Sequence, residues 1–150
     1  LFNSYEANTR IDFDLDLAVQ QDSQNPVYYV QYAHARICSI LKNLAADGIQ
    51  PRACTAQELA LLTAPEELEL IRHLSSYTEE VQAAAKGMDP SKITRYVMNL
   101  STLFHKFYNA CRVKGSDEAL QAARLCLCTA TRTVLENGLA LFKVTAPESM

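Results

Sequence analysis

The fold class the sequence predicts is all-α: a helical bundle with a short extended N-terminal lead-in. Three observations carry it. Glycine and proline number only 4 and 5 among 150 residues, too few for the tight turns of a loop-rich β architecture. Apolar residues recur at spacings of three, four and seven over long stretches, the pattern of helices packed along one face. The breaks between those stretches carry helix-boundary chemistry, as at Asn25-Pro26, Asp47-Gly48, Asp89-Pro90 and Gly115-Ser116. With 49% apolar and 21% charged residues, the chain can bury a core as an ordinary domain.

The elements follow in order. In IDFDLDL, residues 11–17, Ile11, Phe13, Leu15 and Leu17 alternate with Asp12, Asp14 and Asp16. A period of two predicts a half-buried strand or extended connector, with the carboxylates as its solvated face. The polar stretch AVQQDSQN leads to Asn25 as cap and Pro26 at the first helical position. That helix runs to about residue 46, where Gly48 supplies a left-handed stop. Residues 49–62 form a connection with room for one turn at 58–62. Thr63 caps a second helix, with Pro65 and Glu66 in its first turn. A third spans about 78–87, and a fourth opens at Asp89-Pro90 and reaches about Val113. Ser116 caps a fifth that ends near Gly138, with residues 139–142 as a last turn before the tail KVTAPESM.

Several function classes drop out. A net charge of −3 exerts no global pull on nucleic acid, so any such partner needs a local basic patch. The five cysteines are odd in number and form no CxxC pair. They read as free thiols of a reducing compartment. No apolar run approaches the ~18 residues of a membrane helix, and no secretory leader is visible. His34, His73 and His105 lie in different segments and suit helix–helix packing. There is no triad spacing, Gly-rich phosphate loop or metal-ligand cluster, so no catalytic and no metal residue is named. The chain opens on Leu1 inside a structured stretch, which reads as a segment of something longer.

The first long helix carries one stripe more than packing needs. Val30, Ile37, Leu41 and Leu44 make the core stripe. Tyr29, Tyr32 and Arg36 make a second, about 100° away. Two flat rings above a guanidinium suit base stacking plus a phosphate or base-edge contact. They equally suit packing on a neighbouring helix with the hydroxyls satisfied. The fourth helix leans toward RNA: residues 91–114 carry Lys92, Arg95, Lys106, Arg112 and Lys114 with no acid, and Tyr108 precedes Arg112 by one turn. A helical protein–protein scaffold anchored on the tyrosines is the competing reading.

FDLDLA followed by NPVYYVQYAHARI, then ITRYVMNLSTLFHKFYNACRV, LQAARLCLC and the closing VTAPESM, resemble the C-terminal part of bacterial-type arginyl-tRNA synthetases. The resemblance spans essentially the whole chain. It implies that residues 1–24 are the end of a catalytic region plus connector, and that residues 25–150 are an all-α anticodon-binding domain. It implies a cytoplasmic parent enzyme that joins arginine to its tRNA with ATP and Mg²⁺. Neither cofactor belongs to this segment, which lacks the family's HIGH-like and KMSKS-like motifs and so is non-catalytic alone. The implied partners are the anticodon loop and stem of an arginine tRNA and the catalytic domain of the same chain, with no membrane. The RNA-contacting positions it implies are Tyr29, Tyr32, Arg36, Tyr108, Arg112 and the terminal Met150. Lys42 falls where some relatives carry a basic residue, and Lys143 stands where a glycine is common.

Overall fold

The computed structural model describes residues 5, 9, 10, 12, 14–20, 22 and 24–150. Its helices are α1 (Leu15–Val19), α2 (Pro26–Ala46), α3 (Ala56–Leu59), α4 (Pro65–Ser75), α5 (Tyr77–Gly87), α6 (Ser91–Ala110) and α7 (Glu118–Leu141). Among the described residues there is no strand. The three long helices α2, α6 and α7 pack on one another, α4 and α5 lie against α6, and α3 rests on α7. The predicted stripe of α2 is the buried one: Val30, Ile37, Leu41 and Leu44 join Leu100, Phe104 and Phe107 of α6 and Leu127 and Leu135 of α7 in one core.

The N-terminal lead-in departs from the alternating pattern. Asp14 and Gln20 are extended, but Leu15–Val19 between them makes a single helical turn. The Asp14 carboxylate accepts from the Leu17 N–H at 3.0 Å, so an acid read as a strand's wet face acts as a helix cap. Leu15 is exposed, so the alternation marks no buried face there. Ile11 and Phe13 lie outside the described residues.

Two further caps shift by one residue. Thr63 does not cap α4; Ala64 holds that place and has no side-chain acceptor. Glu67 Oε2 instead accepts from the Ala64 N–H at 2.9 Å. The same buried carboxylate takes Arg124 Nε at 2.7 Å through its other oxygen, tying α4 to α7. Asp117 rather than Ser116 caps α7, accepting from the Ala119 N–H at 3.2 Å.

Helix α6 ends at Ala110, short of the predicted Val113. Cys111 is extended, and it and Val113 are both buried while Arg112 between them is exposed. The core takes alternate side chains there, which a helix could not deliver. At its other end α7 runs straight through Gly138. A Cβ at that position would collide with Val97 Cγ1 of α6, so the missing side chain lets the two helices close. The cysteines are free, and only Cys111 and Cys128 are buried. Cys54 of the α2–α3 connector touches Cys126 of α7 at 3.2 Å between sulfurs. Burial, then its hydrogen bond with Cys126, pushes the Cys54 thiol up to about 11.

Candidate nucleic-acid interface

The second stripe of α2 faces a matching stripe of α6. Thr102, His105 and Tyr108 recur every three residues along α6, hence on one side of it. The Thr102 hydroxyl donates to the Met98 carbonyl at 3.1 Å, leaving its oxygen to accept from the Tyr29 hydroxyl at 3.3 Å. The His105 ring sits between the two tyrosines, with centroids 5.6 Å from Tyr29 and 6.1 Å from Tyr32. Arg36 donates to His105 Nδ1 at 3.3 Å and lies 5.1 Å above the Tyr108 ring centroid. That hydrogen bond requires an unprotonated Nδ1. Burial first, and the Arg36 charge second, hold the His105 pKa below its ordinary 6.5. Tyr29 and Tyr108 are half-buried and brace this layer, whereas Tyr32 is 42% exposed.

The tail completes the arrangement. Past α7, Lys143 and Val144 donate backbone N–H groups to the Ala140 and Leu139 carbonyls at 3.0 and 3.1 Å. This is the six-residue closure that needs a left-handed residue, and Lys143 supplies it at φ 55°. The chain then doubles back onto α2. Gln31 Nε2 donates to the Thr145 carbonyl at 2.8 Å, and buried His34 donates through Nδ1 to the Pro147 carbonyl at 2.9 Å. His34 thus has a structural partner, as its placement on a packed face suggests.

Glu148, Ser149 and Met150 are thereby laid along an open cleft of about 880 Å³. Tyr32, Arg36 and Lys42 form its α2 wall, and Thr129 and Arg132 of α7 face them. Three of the six positions singled out in the sequence therefore share the cleft: Tyr32, Arg36 and Met150. Tyr29 and Tyr108 stand behind it in the His105 layer. Arg112 is not brought in. It lies exposed in the irregular segment beyond α6, because the early end of that helix takes it off the Tyr108 face.

The basic run of residues 91–114 is also less free than it reads. Arg95 pairs with Asp89 at 3.8 Å and Lys114 with Asp47 at 2.6 Å. Lys106 shares a surface groove with Glu66 and Glu69. The cleft draws its positive charge from Arg36, Lys42 and Arg132 instead. Sequence reasoning missed Arg132, the second of two arginines within α7, and the central place of His105. The second was detectable, since His105 precedes Tyr108 by three residues.

Residues 30–150 match the model of the DALR anticodon binding domain family. The chain belongs to that family. As a DALR domain it is 53% identical over 149 residues to an arginine–tRNA ligase of Ruminiclostridium cellulolyticum, which covers 99% of this chain and 26% of the relative. A second arginine–tRNA ligase, from Acetivibrio thermocellus, is 48% identical over the same shares. In structure, the domain superposes on Thermus thermophilus arginyl-tRNA synthetase with a TM-score of 0.81 and 30% identity, covering 98% of this chain and 25% of that one. The chain spans about a quarter of the length of these relatives. The expected resemblance and the all-α bundle are both borne out. Among the described residues no three His, Cys, Asp or Glu side chains gather to hold a metal, and no helix is long and apolar enough to cross a membrane.

Proposed function

We propose that this DALR domain holds the anticodon arm of an arginine tRNA for a cytoplasmic arginine–tRNA ligase of which it is one part. The observation that carries the reading is the cleft itself: an exposed Tyr32 ring, three cations and a tail residue, Met150, around an open space with ample room for a nucleobase. Joining arginine to tRNA needs ATP and Mg²⁺; those belong to the catalytic part of the enzyme, and this domain supplies grip and selection. Tyr32 offers a stacking face, with His105 behind it and Tyr29 and Tyr108 bracing the layer. Stacking adds about 1–3 kcal/mol per base without choosing among bases. Selection comes from hydrogen bonds to a base edge. Every arginine codon has G in the middle, so every arginine anticodon has a central C, and that base is the one to read. Arg36 and Lys42 at the cleft wall meet phosphates, which makes affinity fall with salt. Arg112 reaches at most a phosphate outside the cleft.

The test is binding of the chain to an anticodon stem-loop with its central C, against the same loop carrying another base there. Tyr32→Ala should weaken binding of every loop by roughly 5–150-fold, the stacking contribution, with helicity retained. Equal affinity of the unaltered chain for both loops would overturn the reading. Salt-insensitive binding of a protein, lost in Tyr108→Ala, would favour the scaffold reading instead.

A further inference from the structure

Two of the cysteines meet at one backbone oxygen. The Arg52 carbonyl accepts from the Cys126 thiol at 3.1 Å and from the Cys54 thiol at 3.7 Å. The two sulfurs lie 3.2 Å apart, although 72 positions separate them in sequence. The meeting is built from both sides. Cys126 sits inside α7, on backbone that the helix holds. Cys54 belongs to a short clamped unit: the Arg52 guanidinium pairs with Glu58 at 2.6 Å, and Glu58 accepts from the Thr55 N–H at 2.8 Å to start α3, which rests on α7. Both thiols are half-buried, within reach of a small solute, whereas Cys111 and Cys128 are sealed in the core.

We infer that Cys54 and Cys126 are a site of reversible oxidation, closing to a disulfide by exchange with a low-molecular-weight disulfide. A disulfide holds its sulfurs about 2.05 Å apart, so closure asks for roughly 1 Å of approach. The irregular backbone of residues 49–55 can yield that distance while α7 stays fixed. One thiolate first attacks the reagent's S–S bond, which forms a mixed disulfide and expels one small thiolate. The second cysteine then attacks the protein sulfur of that intermediate, and the other small thiolate leaves. The reagent takes up two electrons, and its two thiolates take up the protons of the two cysteines. Burial and the Cys126 thiol raise the Cys54 pKa to about 11, so Cys54 is the poorer first attacker. Once Cys126 is in the mixed disulfide, its share of that shift is gone and Cys54 can follow. In a reducing compartment the pair rests as two thiols, where disulfides of this kind are transient and redox-sensing. The bond pins the connector to α7 three residues from Pro51 and one turn from Thr129, both in the cleft wall. Its chemistry is independent of what the cleft binds.

The experiment treats the folded chain with buffers of glutathione and glutathione disulfide in graded ratio at mildly alkaline pH. Free thiols are trapped with N-ethylmaleimide, and the products are mapped by non-reducing peptide mass spectrometry. Oxidising buffers should yield a chain linked between the peptides of Cys54 and Cys126, with no glutathione on either and full return to thiols in dithiothreitol. Its thermal midpoint should exceed that of the reduced chain by roughly 5–15 °C, because the bond closes a long loop in the unfolded chain. Cys54→Ser should trap glutathione on Cys126, since nothing remains to displace it, and Cys38→Ser should close as the parent does. Circular dichroism checks the fold of each variant. Lasting glutathione adducts on Cys54 or Cys126 of the unaltered chain, or linkage of either to another cysteine, would overturn the pairing. So would two thiols that stay free even in glutathione disulfide alone, which would leave the contact one of packing.

Discussion

Gly138→Ala sets two physical effects of opposite sign against each other. In the middle of an exposed helix the change should stabilise by about 1 kcal/mol, since alanine is the better helix former. In α7 the new Cβ meets Val97 Cγ1 far inside van der Waals contact, with Val97 Cβ only 3.8 Å away. Val97 cannot yield easily: it is 3% exposed and β-branched, so its rotamers are few. The α6–α7 crossing must therefore open, an overpacking penalty of about 2–3 kcal/mol. The net expectation is a loss of about 1–2 kcal/mol, which for a chain of this size lowers Tm by roughly 2–8 °C. Urea unfolding followed by circular dichroism measures it, as a lower midpoint with unchanged slope. Adding Val97→Ala should recover about 1 kcal/mol relative to the sum of the single changes. A Gly138→Ala chain as stable as its parent, or more so, would show that the close crossing is not what requires glycine.

Lys143 holds a left-handed conformation that glycine adopts freely, so Lys143→Gly should gain about 0.5–1 kcal/mol after the added freedom of the unfolded chain is counted. A urea midpoint that fails to rise would mean the φ of 55° carries little strain. His105 sets a pH dependence. Its folded-state pKa lies below the unfolded 6.5, so the unfolded chain binds the proton more readily, and stability falls as pH drops below about 6.5. Protonation would also remove the acceptor that Arg36 uses. Urea midpoints between about pH 8 and pH 5 should decline less steeply in His105→Gln; parallel profiles for the two chains would contradict this.

Much of the bundle was readable from residue spacing because its helices are long and amphipathic. The stripe Val30, Ile37, Leu41 and Leu44 is buried as its period requires, and Pro26 and Ala46 bound α2 as predicted. What spacing could not reveal was decided by few atoms or by distant ones. A single side-chain bond at Asp14 turned an alternating segment into a helical turn. The burial of Cys111 and Val113 ended α6 early and carried Arg112 away from Tyr108. The cleft shows the same division. Tyr32 and Arg36 share one helix and can be paired by counting, whereas Arg132 comes from a helix some hundred residues later and belongs to no pattern of its own. Charge segregation along the chain misled most, because Asp47 and Asp89 answer Lys114 and Arg95 from outside the run.

The bonds that fasten the tail to α2 have a mechanical corollary. The last of them is at Pro147, three residues before Met150. Three residues reach at most about 10–11 Å when fully stretched. The thioether is therefore on a short tether: it can swing aside to admit a planar guest and settle against it, but it cannot wander off the cleft mouth. In the proposed anticodon-binding role little freedom would be left to lose on settling against a base, so that contact would carry a small entropic penalty. Loosening His34 or Gln31 would lengthen that tether and should dull the closure without touching any atom a guest contacts.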